Sequence, residues 1–118
     1  MSPNSFNSDE AKKFLEEREV KEKQQRETER KNLLQQVISV LRKEFSNTTT
    51  EVYLIGSIIR PFGFNSKSDV DIVLKNYTGD RFDIWTKLEA QVGRTVEIIL
   101  FEKCLFQEFV LKEGLKVL

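Results

Sequence analysis

Two aspartates lie two residues apart in Ser68-Asp69-Val70-Asp71, at the mouth of an apolar run that continues through Ile72, Val73 and Leu74. On a strand, residues two apart point the same way. Asp69 and Asp71 therefore share one side, and Val70, Ile72 and Leu74 share the other. Adjacent carboxylates repel unless a proton or a cation sits between them. Carboxylates are also the usual ligands of Mg²⁺, an ion that binds phosphates as well. Upstream, Gly56-Ser57 leaves a second apolar run, Val52-Tyr53-Leu54-Ile55. A glycine at a strand exit lets a phosphate approach the backbone, and a helical turn beginning there offers free N–H groups. In a third apolar run, Val96-Glu97-Ile98-Ile99-Leu100, one acid interrupts the pattern. With Val96, Ile98 and Leu100 turned to a core, Glu97 faces the aspartate side, and three acids on one sheet face can bind two metal ions. Arg60 is available to neutralise phosphate charge. Ser68 is suited either to a phosphate or to capping the turn before its strand.

Gly56-Ser57, eleven residues, then Asp69-x-Asp71, with Arg60 and Ser68 inside the window, resembles the signature of the DNA polymerase β-type nucleotidyltransferase superfamily. The short chain resembles its minimal nucleotidyltransferase (MNT) branch, antitoxins paired with HEPN-domain toxins. Pro61 stands where that pattern commonly has Gly, and Glu97 where it more often has Asp. The resemblance implies a catalytic and metal-binding triad of Asp69, Asp71 and Glu97, two Mg²⁺ ions, and ATP as substrate. Gly56, Ser57, Arg60 and Ser68 bind the substrate in that reading. The acceptor hydroxyl attacks the α-phosphorus and pyrophosphate leaves. It further implies AMP transfer to a hydroxyl, expected to be a Tyr, of a cognate HEPN toxin held in a hetero-oligomer. Two alternatives use the same fold. One is a catalytically weak module that silences its toxin by contact, and the other is a small-molecule nucleotidyltransferase, against which the short chain argues.

The elements that position these residues follow from the pattern. Residues 1–7 are polar and expected to be disordered. From Ala11 to Phe45 there is no Gly or Pro, and the stretch is dense in good helix formers. Its second half carries Leu33, Val37, Leu41 and Phe45 at four-residue spacing, a stripe for packing on a sheet. Its first half offers only Ala11, Phe14, Leu15 and Val20, so residues 16–32 read either as a solvated helical face or as an arm that anchors a partner through Phe14 and Leu15. The division expected is an arm over residues 1–32 and a minimal nucleotidyltransferase domain over 33–118. Strands are expected at 52–55, 70–74 and 96–100, with a last short one near the end. Asp80 and Gly93 bracket a helix over about 81–92, and Gly114 stops another from about 106. The fold class is α/β (α+β), with a small mixed sheet, helices on one face and the site on the other.

Composition narrows the classes. The chain has 118 residues, enough for one domain. Nineteen basic and nineteen acidic residues give no net charge, so no direct nucleic-acid partner is expected. One Cys and no His exclude an internal disulfide, a Cys/His zinc site and histidine acid–base catalysis. No run approaches the ~20 apolar residues of a membrane span, and no signal-peptide core opens the chain. A cytoplasmic protein is the expectation.

Overall fold

The structure, a computed structural model, describes residues 8–118. The expectation for residues 1–7 lies outside them. The order is α1 (Ser8–Phe45), β1 (Glu51–Ile55), a 3₁₀ turn (Gly56–Ile59), β2 (Val70–Lys75), α2 (Arg81–Val92), β3 (Val96–Leu100), a second 3₁₀ turn (Phe101–Lys103), α3 (Gln107–Glu113) and β4 (Leu115–Lys116). The strands form one mixed sheet in the order β3-β2-β1-β4. β1 is antiparallel to β2 and β4, and β2 runs parallel to β3. The parallel pair needs a crossover, and α2 supplies it. Asp80 caps α2 by accepting from the Asp83 N–H at 2.9 Å, and Gly93 ends it in the left-handed conformation.

The main core lies on one face of the sheet. Val52, Leu54, Val70, Ile72, Leu74, Val96 and Ile98 meet Val37, Leu41 and Phe45 of α1 and Ile84, Leu88 and Val92 of α2. The spacing-by-four stripe of α1 thus packs where its periodicity places it. The opposite face carries more than the acids. Tyr53, Ile55 and Val73 form a smaller cluster with Phe101 and with Val110 of α3, so one short helix covers part of the site face.

α1 is continuous over its 38 residues. Every residue from Lys12 to Arg26 is exposed, as a solvated face requires. The solvated reading ends at Glu27 and Arg30, which are 7% and 5% exposed. Among the described residues no helix is long and apolar enough to cross a membrane.

Candidate active site

The register of the sheet brings the acids together. Asp71 of β2 is paired with Glu97 of β3 on one side and with Ile55 of β1 on the other. Partners in register point to the same face, so Asp71 and Glu97 stand side by side, and Asp69 lies just before β2. The Asp71 carboxyl is pushed up to about 6. Burial is the largest cause, followed by the Glu97 charge, a hydrogen-bonding contact with Glu97, and the charge of Asp69. A part-buried carboxyl with like charges beside it holds its proton more tightly than a lone one. Among the described residues no three such side chains already converge at ligand distance. The tight contact is between Asp71 and Glu97, and Asp69 enters through its charge. An all-oxygen, anionic donor set of this kind fits a hard divalent cation such as Mg²⁺.

Gly56 adjoins this cluster. Its φ is +82°, and a Cβ built there would lie 2.5 Å from Asp71 Oδ2. Glycine is thus required twice, once by the backbone and once by the close approach of the carboxylate. The turn that follows holds Ser57, half-buried, and ends at the exposed Arg60, whose N–H donates to the Ser57 carbonyl at 3.2 Å. Gly56, Ser57, Asp71 and Glu97 are therefore gathered around one end of the sheet.

The loop from Arg60 to Asp69 is held at both ends by arginines that sequence reasoning left out. Gly63 N–H donates to the Arg60 carbonyl at 2.9 Å, closing a turn with Pro61 and Phe62 at its centre. Phe62 has a φ of +61°, a conformation that costs a bulky residue about 1–2 kcal/mol. Pro61, in place of the usual Gly, is suited to the position before a positive-φ residue in such a turn. Glu27 accepts from the Phe62 N–H, and Arg30 both pairs with Glu27, Nε to Oε1 at 2.8 Å, and donates from Nη1 to the Ile58 carbonyl at 2.8 Å. The Arg30 hydrogen bond is the main reason that the Glu27 carboxyl sits below its usual range. A buried ion pair contributes little net stability, but this one fixes the backbone on both sides of Arg60. At the other end, Arg94 Nη2 donates to the carbonyls of Asn65, Ser66 and Ser68 at 3.1, 3.3 and 2.8 Å. The Ser68 hydroxyl accepts from the Asn65 N–H at 3.1 Å, the turn-capping use expected as one of its two roles.

No local pattern marks Glu27 and Arg30, because their partners lie about thirty residues away. The available signal was weak: two charges three apart, one turn before the apolar stripe begins.

Residues 8–113 match the model of a family described as "Poly(A) RNA polymerase, mitochondrial-like, central palm domain". Such a palm is of the nucleotidyltransferase type, so the superfamily read from Gly56-Ser57 and Asp69-x-Asp71 stands. No curated protein and no solved structure matches the chain.

Proposed function

The chain belongs to the family of mitochondrial-like poly(A) RNA polymerase central palm domains, and from that premise we propose that it transfers AMP from ATP to the 3′-hydroxyl of an RNA. The observation that carries this reading is the register of Asp71 with Glu97, beside Gly56 and on the sheet face away from the main core. Asp69, Asp71 and Glu97 would hold Mg²⁺, as two ions. Bound there, the metal lowers the pKa of an attacking hydroxyl and neutralises phosphate charge. Gly56 lets the Asp71 carboxylate close up to the turn, and Ser57 with the N–H groups of that turn holds the departing pyrophosphate. Arg60 offsets charge that develops on the phosphates, and Ser68 fixes the turn that delivers Asp69. The acceptor oxygen bonds to the α-phosphorus as the α–β phosphoanhydride breaks. Balanced charge is compatible with this acceptor, since a strand end needs only its last hydroxyl at the acids and no long basic track.

A second acceptor is favoured by one observation. Phe14 and Leu15 are 65% and 58% exposed, and with Val20 at 53% they are the large apolar side chains that the first half of α1 shows to solvent. In this reading the segment before residue 33 is an arm that docks on a partner protein, a HEPN-family toxin in the minimal-nucleotidyltransferase version. The product is then an AMP-modified Tyr, and the protein acts as a cytoplasmic antitoxin. Tethering would raise the effective concentration of that hydroxyl.

Transfer of label from α-labelled ATP, with an RNA oligonucleotide or a partner protein as acceptor, tests the proposal. Wild type should extend the RNA in Mg²⁺, Asp69→Asn and Glu97→Ala should not, and Glu97→Asp should keep part of the activity. Equal transfer by Glu97→Ala and wild type would remove Glu97 from the metal site. Labelling of protein with RNA left untouched would select the second acceptor.

A further inference from the structure

A cleft of about 690 Å³ lies between α1 and the loop that leads to Asp69. Arg26, Glu29 and Leu33 of α1 form one wall, Phe62 and Phe64 of the loop form another, and Arg94 closes it. The ring of Phe62 also borders a second hollow, with Lys23 and Arg26 as its other walls. Phe62 is 68% exposed, so packing within the domain does not explain its place. Its backbone is nonetheless held at a φ of +61° by the hydrogen bond from its N–H to buried Glu27, itself fixed by Arg30. A strained residue persists only where its surroundings over-determine it, and such residues gather at ligand clamps. Here the strained residue offers an aromatic ring to solvent.

Cations surround that ring. Among the described residues neither Lys23 nor Arg26 has an ion-pair partner. Arg94 makes its three hydrogen bonds from Nη2 alone, which leaves the Nε and Nη1 donors of its fork for a phosphate. Against these three cations the walls set one acid, Glu29.

Resting on the RNA-acceptor reading above, we propose that this cleft holds the acceptor strand just upstream of its 3′ end, with a base stacked on Phe62 and phosphates on Lys23, Arg26 and Arg94. A positive groove interleaved with aromatic rings binds single strands with little regard to sequence. Position supports the assignment. Ser66, in the wall of the cleft, is three residues from Asp69, and Arg94 is three residues from Glu97. Three residues span at most about 10 Å, so a strand seated there needs little further length to bring its terminal hydroxyl to the acids. The site is short, in keeping with a chain of no net charge.

Fluorescence anisotropy of 5′-labelled oligo(A), beside titration calorimetry with ATP in Mg²⁺, tests the site in the full chain. Phe62→Gly removes the ring and takes up the positive φ without strain, so the turn should persist. It should weaken oligo(A) binding about tenfold, the low end of what one stacked base contributes, and leave ATP affinity unchanged. Phe62→Trp should bind oligo(A) at least as well as wild type. Arg26→Gln should lower the slope of log affinity against log salt by about 0.7, the value for one phosphate contact to a single strand. In the transfer assay the Phe62→Gly defect should fall on the KM for RNA, with kcat kept. Undiminished oligo(A) binding by Phe62→Gly, or an equal loss in Phe62→Trp, would overturn the site and leave the transfer reading standing. A wild type that binds no oligo(A) and labels only a partner protein would overturn this site and the RNA acceptor together.

Discussion

The two faces of the sheet are built from the same short strands, and they do different work. On one face Val52, Leu54, Val70, Ile72, Leu74, Val96 and Ile98 are sealed under α1 and α2 with no exposure at all. On the other, Tyr53, Ile55 and Val73 make a small cluster under α3, and beyond its edge stand Asp71 and Glu97. Asp71 and Ile72 are neighbours in sequence and opposites in environment. Because a strand alternates sides at every residue, the first face stabilises the domain while the second carries like charges that work against it. Stability and chemistry are thus separated by parity within one β2 strand.

Adjacent substitutions test that separation most directly. Ile72→Ala leaves a cavity in the closed face and should cost about 2–5 kcal/mol, a large part of the stability of a domain this size. Asp71→Asn should reduce nucleotidyl transfer to background while the melting temperature holds or rises. Thermal melts followed by circular dichroism, beside the labelled-ATP assay, read both effects. An Ile72→Ala variant with an unchanged melt, or an Asp71→Asn variant that unfolds, would break the comparison.

A smaller effect sharpens it. The Asp71 carboxyl is raised in the fold to about 6 from 3.8. A raised acid favours the folded state when protonated. Its contribution is therefore complete below about pH 4 and is lost as pH rises through about 6. The shift would correspond to about 3 kcal/mol if fully expressed, and partial exposure to solvent reduces this to about 1–2. In metal-free buffer, Asp71→Asn should match wild type near pH 4.5 more closely than at pH 7.5, where the variant should be the more stable of the two. A constant difference across that range would mean that neither burial nor the neighbouring Glu97 and Asp69 raise the Asp71 carboxyl.

Much of this arrangement is legible in the residues. The alternation around Glu97 places it beside Asp71, Asp80 and Gly93 mark the ends of α2, and the stripe from Leu33 to Phe45 selects the face of α1 that packs. These features are local, with the cause within a few residues of the effect. What is not legible depends on distant contacts. Glu27 and Arg30 resemble their solvated neighbours until the Phe62 N–H and the Ile58 carbonyl are brought to them. Arg94 reads as a surface charge until three carbonyls of the loop after residue 64 converge on it. Helices on one face is the simplest reading of a two-layer domain. The apolar side chains of Tyr53, Ile55 and Val73, on the parity of Asp71, are the sign that the second face also needs partial cover.

The smallest effect concerns the helix that serves both faces from outside the sheet. Residues 12–26 are exposed throughout, and the ion pair of Arg18 with Glu22 at 3.2 Å is of the exposed kind that adds a few tenths of a kcal/mol. Deleting residues 1–20 should therefore change stability by less than about 0.5 kcal/mol and leave transfer to RNA unaltered. Deleting residues 1–32 keeps the apolar stripe from Leu33 onward, so the sheet should still fold, but it removes Glu27 and Arg30. The Phe62 N–H and the Ile58 carbonyl then turn to water, and nothing in α1 holds Phe62 at its positive φ. Amide exchange at Phe62 should accelerate in the longer deletion and not in the shorter, and the KM for ATP should rise because the turn that carries Ser57 and Arg60 is no longer braced. Equal protection of the Phe62 amide in the two truncated proteins would show that the loop holds its shape unaided, and that the buried pair serves α1 rather than the site.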